Sequence, residues 1–350
     1  MSRPVRIATW NVCWFTRLFD DLGRLKTDDE WSGMRDVPRK RQAVAIAQVL
    51  RMVDADIFAI IEAPDSNHTR STVGALERFA VACGLRAREA ITGFISDTEQ
   101  EIALLYDPAR VTAQHAPIGN PLDEHSALRS TDPAPRFDGV YPLDLDGDGE
   151  IDLHRFSKPP LEAEVIIDGQ HLLRLIAVHA KSKAPHGAAN AEEAALISLL
   201  NRRKQLAQCA WLRARIEGHL DADEDVIALG DFNDGPGLDK YERVFGRSGV
   251  EVVVGDPSEP HKQLKTPFIR AVSPSQPRPS TARFQSRGRE RFLNALIDFV
   301  MLSPDLASRT NPAWRIWHPF DDAQLFANSG AKNALLDASD HFPVSVDLVF

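Results

Sequence analysis

Six short apolar runs in this chain end in, or carry, polar residues able to do chemistry, and this recurrence constrains the fold more than any other feature. Residues 5–9 lead into Trp10 and Asn11, 57–61 into Glu62, 172–178 into His179, and 226–229 into Gly230-Asp231-Phe232-Asn233. The run 296–302 carries Asp298, and Asp340-His341 precedes the run 342–350. Runs of about 4–8 residues rich in Ile, Val, Leu and Phe, with turn residues nearby, read as buried strands. One strand ending in a carboxylate is ordinary. Several predict that polar groups gather along one edge of a sheet assembly. Between the runs the spacing predicts helices. One spans 38–53, with Val44, Ala47, Val49, Leu50 and Val53 on its apolar face. A second spans 72–83, with Gly84 as its C-terminal cap. A third spans 191–217, capped by Asn190 with Glu193 in a capping box and ended by Gly218. Residues 273–280, rich in Pro and Ser, read as a loop, and no internal repeat or low-complexity linker interrupts the chain. One α/β domain over 1–350 is expected, two packed sheets with helices outside.

Composition narrows the class. The 350 residues are 43% hydrophobic and 26% charged, enough for a sizeable core and unlike disordered, collagenous or coiled-coil chains. Lys and Arg number 41 against 50 Asp and Glu, a net charge of −9, which argues against a globally basic nucleic-acid binder but permits a local basic patch. No apolar run approaches the roughly 18 residues of a membrane span, and the first ten residues hold no apolar signal core. Three scattered cysteines (Cys13, Cys83, Cys209) make neither a disulfide framework nor a zinc site. A cytoplasmic protein with no membrane attachment and no obligate protein partner is expected.

Asp231 and Asn233, two residues apart at a strand end, point to the same side. A carboxylate and a carboxamide there can take a proton from water and hold a developing oxyanion; the alternative is an Asx-rich turn. Asp298 interrupts an otherwise apolar run, and a buried carboxylate needs a partner. His341 is the candidate. Asp340 and His341 serve one site only from a loop or bulge, because neighbours on a strand face opposite ways. Glu62 and Asn11 read either as site residues or as first solvated residues after a strand. His179 shares parity with Leu173, Leu175 and Ala177, so a satisfied core histidine is the competing reading.

Six segments in this order resemble the endonuclease/exonuclease/phosphatase superfamily, which has the fold of deoxyribonuclease I and exonuclease III. They are Ala8-Thr9-Trp10-Asn11-Val12, Ile60-Ile61-Glu62, His179-Ala180-Lys181-Ser182-Lys183, Gly230-Asp231-Phe232-Asn233-Asp234, Ile297-Asp298-Phe299-Val300 and Ser339-Asp340-His341. The resemblance implies a four-layer α/β sandwich, with two packed, mainly antiparallel sheets flanked by helices. It implies a metal-dependent phosphoesterase using Mg²⁺ or Mn²⁺, held by Glu62 with Asn11 and Asp340. Asp231 then orients or deprotonates water, supported by Asn233. His341, held by Asp298, binds the scissile phosphate, and His179 acts as phosphate ligand or general acid, with Glu99 or Glu101 as its candidate partner. Val178 stands where many bacterial members have Asn before the histidine, and Ile61 where Gln often precedes the glutamate. Oxygen ligands suit a hard cation. A nucleic-acid or nucleotide phosphodiester is the expected substrate. A small or lipid phosphate ester is the alternative, and a non-catalytic binding module on the same fold is the second.

Two features lie outside these segments. Asp144, Asp146, Asp148 and Asp152, with Gly149, follow a calcium-loop pattern, although Arg155 occupies the twelfth position, where the pattern has Glu. Ca²⁺ over 144–155, inside an insert at 140–156, is one reading, and a solvated acidic hairpin turn is the other. Arg278, Arg283, Arg287, Arg289 and Arg291 precede the Asp298 run. With Lys181 and Lys183, and Arg287 and Arg289 in particular, they are expected to contact phosphate.

Overall fold

Each apolar run becomes a strand with both faces covered, which is why the runs are continuous rather than alternating. The computed structural model describes residues 3–237, 245–269, 279–285 and 291–350. The first sheet has six strands: β14 (Ala313–Ile316), β15 (Val344–Leu348), β1 (Val5–Asn11), β2 (Ile57–Ala63), β4 (Glu101–Tyr106) and β3 (Glu89–Thr92), in that spatial order. The second has five: β13 (Asp298–Leu302), β10 (Val226–Asp231), β9 (His171–His179), β8 (Leu161–Ile167) and β5 (Val111–His115). Each sheet contains one parallel pair, β1–β2 and β9–β10, among antiparallel neighbours.

Side-chain parity sorts the core into three apolar layers. Ile7, Ile57, Ala59 and Ile61 meet Leu173, Leu175, Ala177, Ile227, Leu229 and Val300 between the sheets. Ala8, Trp10, Phe58 and Ile60 face outward, under the helices Arg39–Val53, Thr72–Ala82 and Ser329–Ala338. Ile176, Val178, Ala228 and Phe299 face the other way, under helix Ala191–Asp221 through Trp211, Leu212 and Ile216. The result is the expected helix–sheet–sheet–helix stack. Among the described residues no helix is long and apolar enough to cross a membrane.

Several local expectations change. Val44 is exposed, because the buried face of its helix runs through Ala43, Ile46, Ala47, Leu50 and Val53. Gly218 does not end the long helix, which continues to Asp221; the left-handed turn falls on Asp223, at φ 55°. At the other end of that helix Asn190 accepts from Glu193 N (2.9 Å), while the Glu193 carboxylate reaches Ala189 N (2.8 Å), one residue earlier than a capping box requires. Strand β13 starts at Asp298 rather than Leu296, because Ile297 N and Asp298 N both donate to Thr281 Oγ1 at 3.0 Å.

Gly230, just before Asp231, sits at φ +136°, and a Cβ there would lie 2.0 Å from the Val178 carbonyl oxygen. Both the conformation and the close approach require glycine. Gly230→Ala is therefore expected to lower unfolding stability by about 3 kcal/mol or more. Urea denaturation checks this, and an unchanged midpoint would contradict it.

Candidate active site

Asn11, His179, Asp231 and Asp298 share the parity of residues that face between the sheets, and all lie at one end of the gap. The ladders set them side by side. Asp231 is opposite His179 on the parallel partner β9 and opposite Asp298 on the antiparallel partner β13. Asp231 and Asp298 are buried, so the first question is what offsets their charge.

For Asp298 the answer is His341. Its Nδ1 lies 3.1 and 3.0 Å from the two Asp298 carboxylate oxygens. His341 is placed by Ser339, whose Oγ accepts the His341 N–H (3.1 Å) and donates to Asn11 O (2.8 Å). It leaves the strand pattern to form a lone bridge with Ala282, so Asp340 and His341 escape strict alternation. Burial alone would lower the His341 pKa. The Asp298 and Asp231 carboxylates outweigh it and hold the imidazolium well above the ordinary histidine range.

Asp231 is satisfied by amides. Asn11 Nδ2 donates to Oδ2 (3.0 Å), Asn233 N to Oδ1 (2.8 Å) and Asn233 Nδ2 to Oδ2 (3.2 Å). Asn233 reaches back because its backbone turns left-handed (φ 50°) just past the strand. Burial, then the neighbouring Asp298, pushes the Asp231 carboxyl up to about 7, against the pull of His341. It therefore sits where a group can exchange a proton near neutrality. Ligand atoms of Asp231, Asp298 and His341 all lie within 4.8 Å of one another.

Glu62 enters through a bulge. The β2–β4 register shifts between Ile61 and Ala63, and Glu62 adopts φ 61°. Ala63 then takes the outward face with Phe58 and Ile60, and Glu62 is released to the sheet edge as the extra residue. One carboxylate oxygen accepts Trp14 N–H (2.8 Å) and the other lies 3.4 Å from Asn11 Nδ2. Asn11 thus links Glu62 to Asp231. Cys13 feels the Asp340 and Glu62 carboxylates, and burial first, then both charges, push its thiol well above the ordinary cysteine range. Glu62 and Asp340 are half-buried, while Asn11 turns Nδ2 toward Glu62 and Asp231 and its Oδ1 accepts Cys13 N–H (3.0 Å). The carboxylate oxygens of Glu62 and Asp340 are of the kind that suits a hard divalent cation.

His179 is buried, with Nε2 3.7 Å from Asp231 Oδ2. Neither Glu99 nor Glu101 partners it. The Glu101 carboxylate turns to Ser96 N (3.0 Å), and His179 Nε2 instead meets Lys158 Nζ at 3.2 Å. Lys158 in turn donates to Gln100 Oε1 at 3.0 Å. Sequence reasoning missed both Lys158 and Gln100 because neither ends an apolar run. A usable signal existed: residues just before an antiparallel strand lie on the same edge as residues ending its neighbour. Gln100 precedes β4 and Lys158 precedes β8, whose Leu161 pairs with Ala177.

The remaining candidates divide. Lys181 is half-buried, and burial then Lys204 lowers its pKa. Lys183 pairs with the buried Asp234 at 2.6 Å. Arg278, Arg287 and Arg289 lie outside the described residues. Arg283 stacks between Phe292 and Phe320, its guanidinium 3.6 and 4.8 Å from the ring centroids, while its backbone N–H donates to Asp340 O (2.8 Å). In the acidic loop, Asp144, Asp146 and Asp148 bring ligand atoms within 4.8 Å of one another. Asp152 turns to Arg203 (3.1 Å), which also pairs with Asp146 (2.8 Å). Strands Tyr141–Leu143 and Asp152–His154 flank this loop as a hairpin, and Arg155 pairs with Glu124.

Residues 8–341 match the endonuclease/exonuclease/phosphatase family. The chain belongs to that family. Its members are typically phosphoesterase hydrolases. Truncated TDP2 from Caenorhabditis elegans is similar with a TM-score of 0.51 at 14% identity, over 99% of this chain and 98% of that one. A mannosyl-6-phosphatase from Bacteroides thetaiotaomicron gives 0.50 at 15%, over 99% and 100%. Humanized TDP2 from D. rerio gives 0.50 at 13%, over 100% of both. Likeness at such identities is likeness of fold. No curated protein matches the sequence.

The Asp298–His341 contact carries its own test. Removing the carboxylate charge removes a main cause of the raised His341 pKa, so Asp298→Asn is expected to move the imidazole titration to lower pH. Histidine Cε1–H resonances followed by NMR against pH check this; an unmoved titration would count against the pair.

Proposed function

We propose that this chain is a Mg²⁺- or Mn²⁺-dependent phosphodiesterase acting on nucleic-acid or nucleotide phosphodiester bonds. The observation that carries the reading is one convergence: Glu62 joined through Asn11 to Asp231, facing the His341–Asp298 pair. Glu62, Asp340 and Asn11 would hold the metal, which when bound relieves charge on phosphoryl oxygens. Asp231 accepts the proton of the attacking water, and its Asn11 and Asn233 hydrogen bonds fix the carboxylate in line. His341 enters charged, held by Asp298, and binds the scissile phosphate. Asn233 supports Asp231 and the phosphate. The half-exposed Lys181, with Arg287 and Arg289, would bind flanking phosphates.

The net charge of −9 favours a second reading, a small phosphate ester that needs no extended basic surface. Salt separates the two. A polymer contacts several phosphates, so its binding falls steeply with ionic strength, whereas a small ester engages one or two charges and falls little. For the metal, EDTA is expected to abolish activity and Mg²⁺ or Mn²⁺ to restore it. Glu62→Gln should raise the Mg²⁺ needed for half-maximal activity by about tenfold or more. Asp231→Asn should lower kcat by about 100- to 10,000-fold. Steady-state rates on plasmid, single-stranded RNA, bis-p-nitrophenyl phosphate and inositol phosphates check all of these. Full activity of Glu62→Gln at limiting Mg²⁺ would remove the metal assignment.

A further inference from the structure

The β13 side of Asp231 carries the His341 cation; the β9 side carries Lys158. Its ammonium donates to Gln100 Oε1 at 3.0 Å and lies 3.2 Å from His179 Nε2. An ammonium has three donors and no acceptor, so Nε2 is the acceptor in that contact and the ring proton rests on Nδ1. A charged imidazolium would set donor against donor. The groups around the ring agree. Burial first, then Lys158, His341 and Lys181, hold His179 well below the ordinary histidine range, while Asp231 Oδ2 at 3.7 Å works in the opposite direction. Its Nδ1 is buried with no hydrogen-bond partner among the described residues. A neutral histidine turned this way brings the substrate no charge, and its Nε2 has no proton to donate. It acts instead as an acceptor that orients Lys158.

We propose that Lys158 is a catalytic residue of this site: its ammonium, steered by Gln100 and His179, binds a phosphoryl oxygen of the substrate on the side of Asp231 away from His341. The inference rests on the phosphoesterase reading. Two of the three Lys158 N–H groups have acceptors among the described residues, which leaves the third for a ligand. Lys158 lies in the field of Glu62 and Asp231, beside the place where phosphate must sit. Burial disfavours its charge and lowers its pKa, partly against those carboxylates, and an arriving phosphate favours the charge again. A phosphate held between His341 and Lys158 has cations on both flanks, aimed at the oxygens that gain charge during attack.

The test uses the whole protein with Mg²⁺ and bis-p-nitrophenyl phosphate, and calorimetry with inorganic phosphate as a second readout. Turnover by the wild type tests the phosphoesterase reading itself. Given that turnover, Lys158→Met is expected to lower kcat by about 100-fold and to weaken phosphate binding by about tenfold. Lys158→Arg should recover much of the loss, and ethylammonium should partly rescue Lys158→Ala, which a packing role would not allow. If Lys158→Met fails to fold, Lys158→Arg against Lys158→Gln carries the comparison, and equal losses in both overturn the proposal. A Lys158→Met variant within about threefold of wild type in turnover and phosphate affinity overturns it too, while the phosphoesterase reading stands. A wild type inactive on every ester, with phosphate binding lost in Lys158→Met, defeats the function reading and supports the cation.

Discussion

Two buried carboxylates, Asp231 and Asp298, stand opposite each other on the β10–β13 ladder, and the arrangement of the site follows from that juxtaposition. Like charges directly across a ladder destabilise a sheet, and burial makes each charge costlier. The protein answers the two differently. Asp298 receives an imidazolium, supported by Ser339 and by the Thr281 hydroxyl that ties down the strand start. Asp231 receives neutral amide donors, and burial first, then the Asp298 charge, raises its pKa to about 7. The same conflict that costs stability thus produces a carboxylate able to exchange protons near neutrality.

Strand geometry explains why the conflict lies at an edge. Inward-facing positions along β1, β9, β10 and β13 are mostly apolar up to the edge where the gap between the sheets opens, which is the last residue of β1, β9 and β10 and the first of the antiparallel β13. Polar side chains of inward parity gather at that edge, so four strands deliver Asn11, His179, Asp231 and Asp298 to one place. Glu62 does not arrive by parity. The bulge in β2 frees it from the outward face, and Trp14 N–H holds it once freed.

Charge around the site is layered on a protein that is acidic as a whole. His341 lies on one side of Asp231 and Lys158 on the other, and Arg283 stacks on Phe292 and Phe320 from the strand Ala282–Gln285, which pairs with Phe292–Ala295 and bonds to Asp340 O through Arg283 N–H. The local balance, and not the net charge, is what a phosphate meets on entering.

Strand positions, the sandwich of sheets and helices, and the identity of Asn11, Glu62, Asp231, Asn233, Asp298, Asp340 and His341 as a group were legible in the chain. Two-sided burial writes itself as continuous apolar runs, and a charged residue at the end of such a run demands an explanation. The pairing of Asp298 with His341 was also legible, because a buried carboxylate must find a partner. The partner of His179 was not. Lys158 and Gln100 precede antiparallel strands, and only strand order brings them to the edge where the parallel strands end. The bulge at Glu62 was equally hidden, since one extra residue changes no composition and no spacing. The end of the long helix was misread at Gly218 because glycine permits a left-handed turn without imposing one. Local chemistry, burial and parity are properties of short segments and so are fixed by the sequence alone. Which lysine meets which histidine depends on the register between strands far apart in the chain, and that register exists only once the sheets have formed.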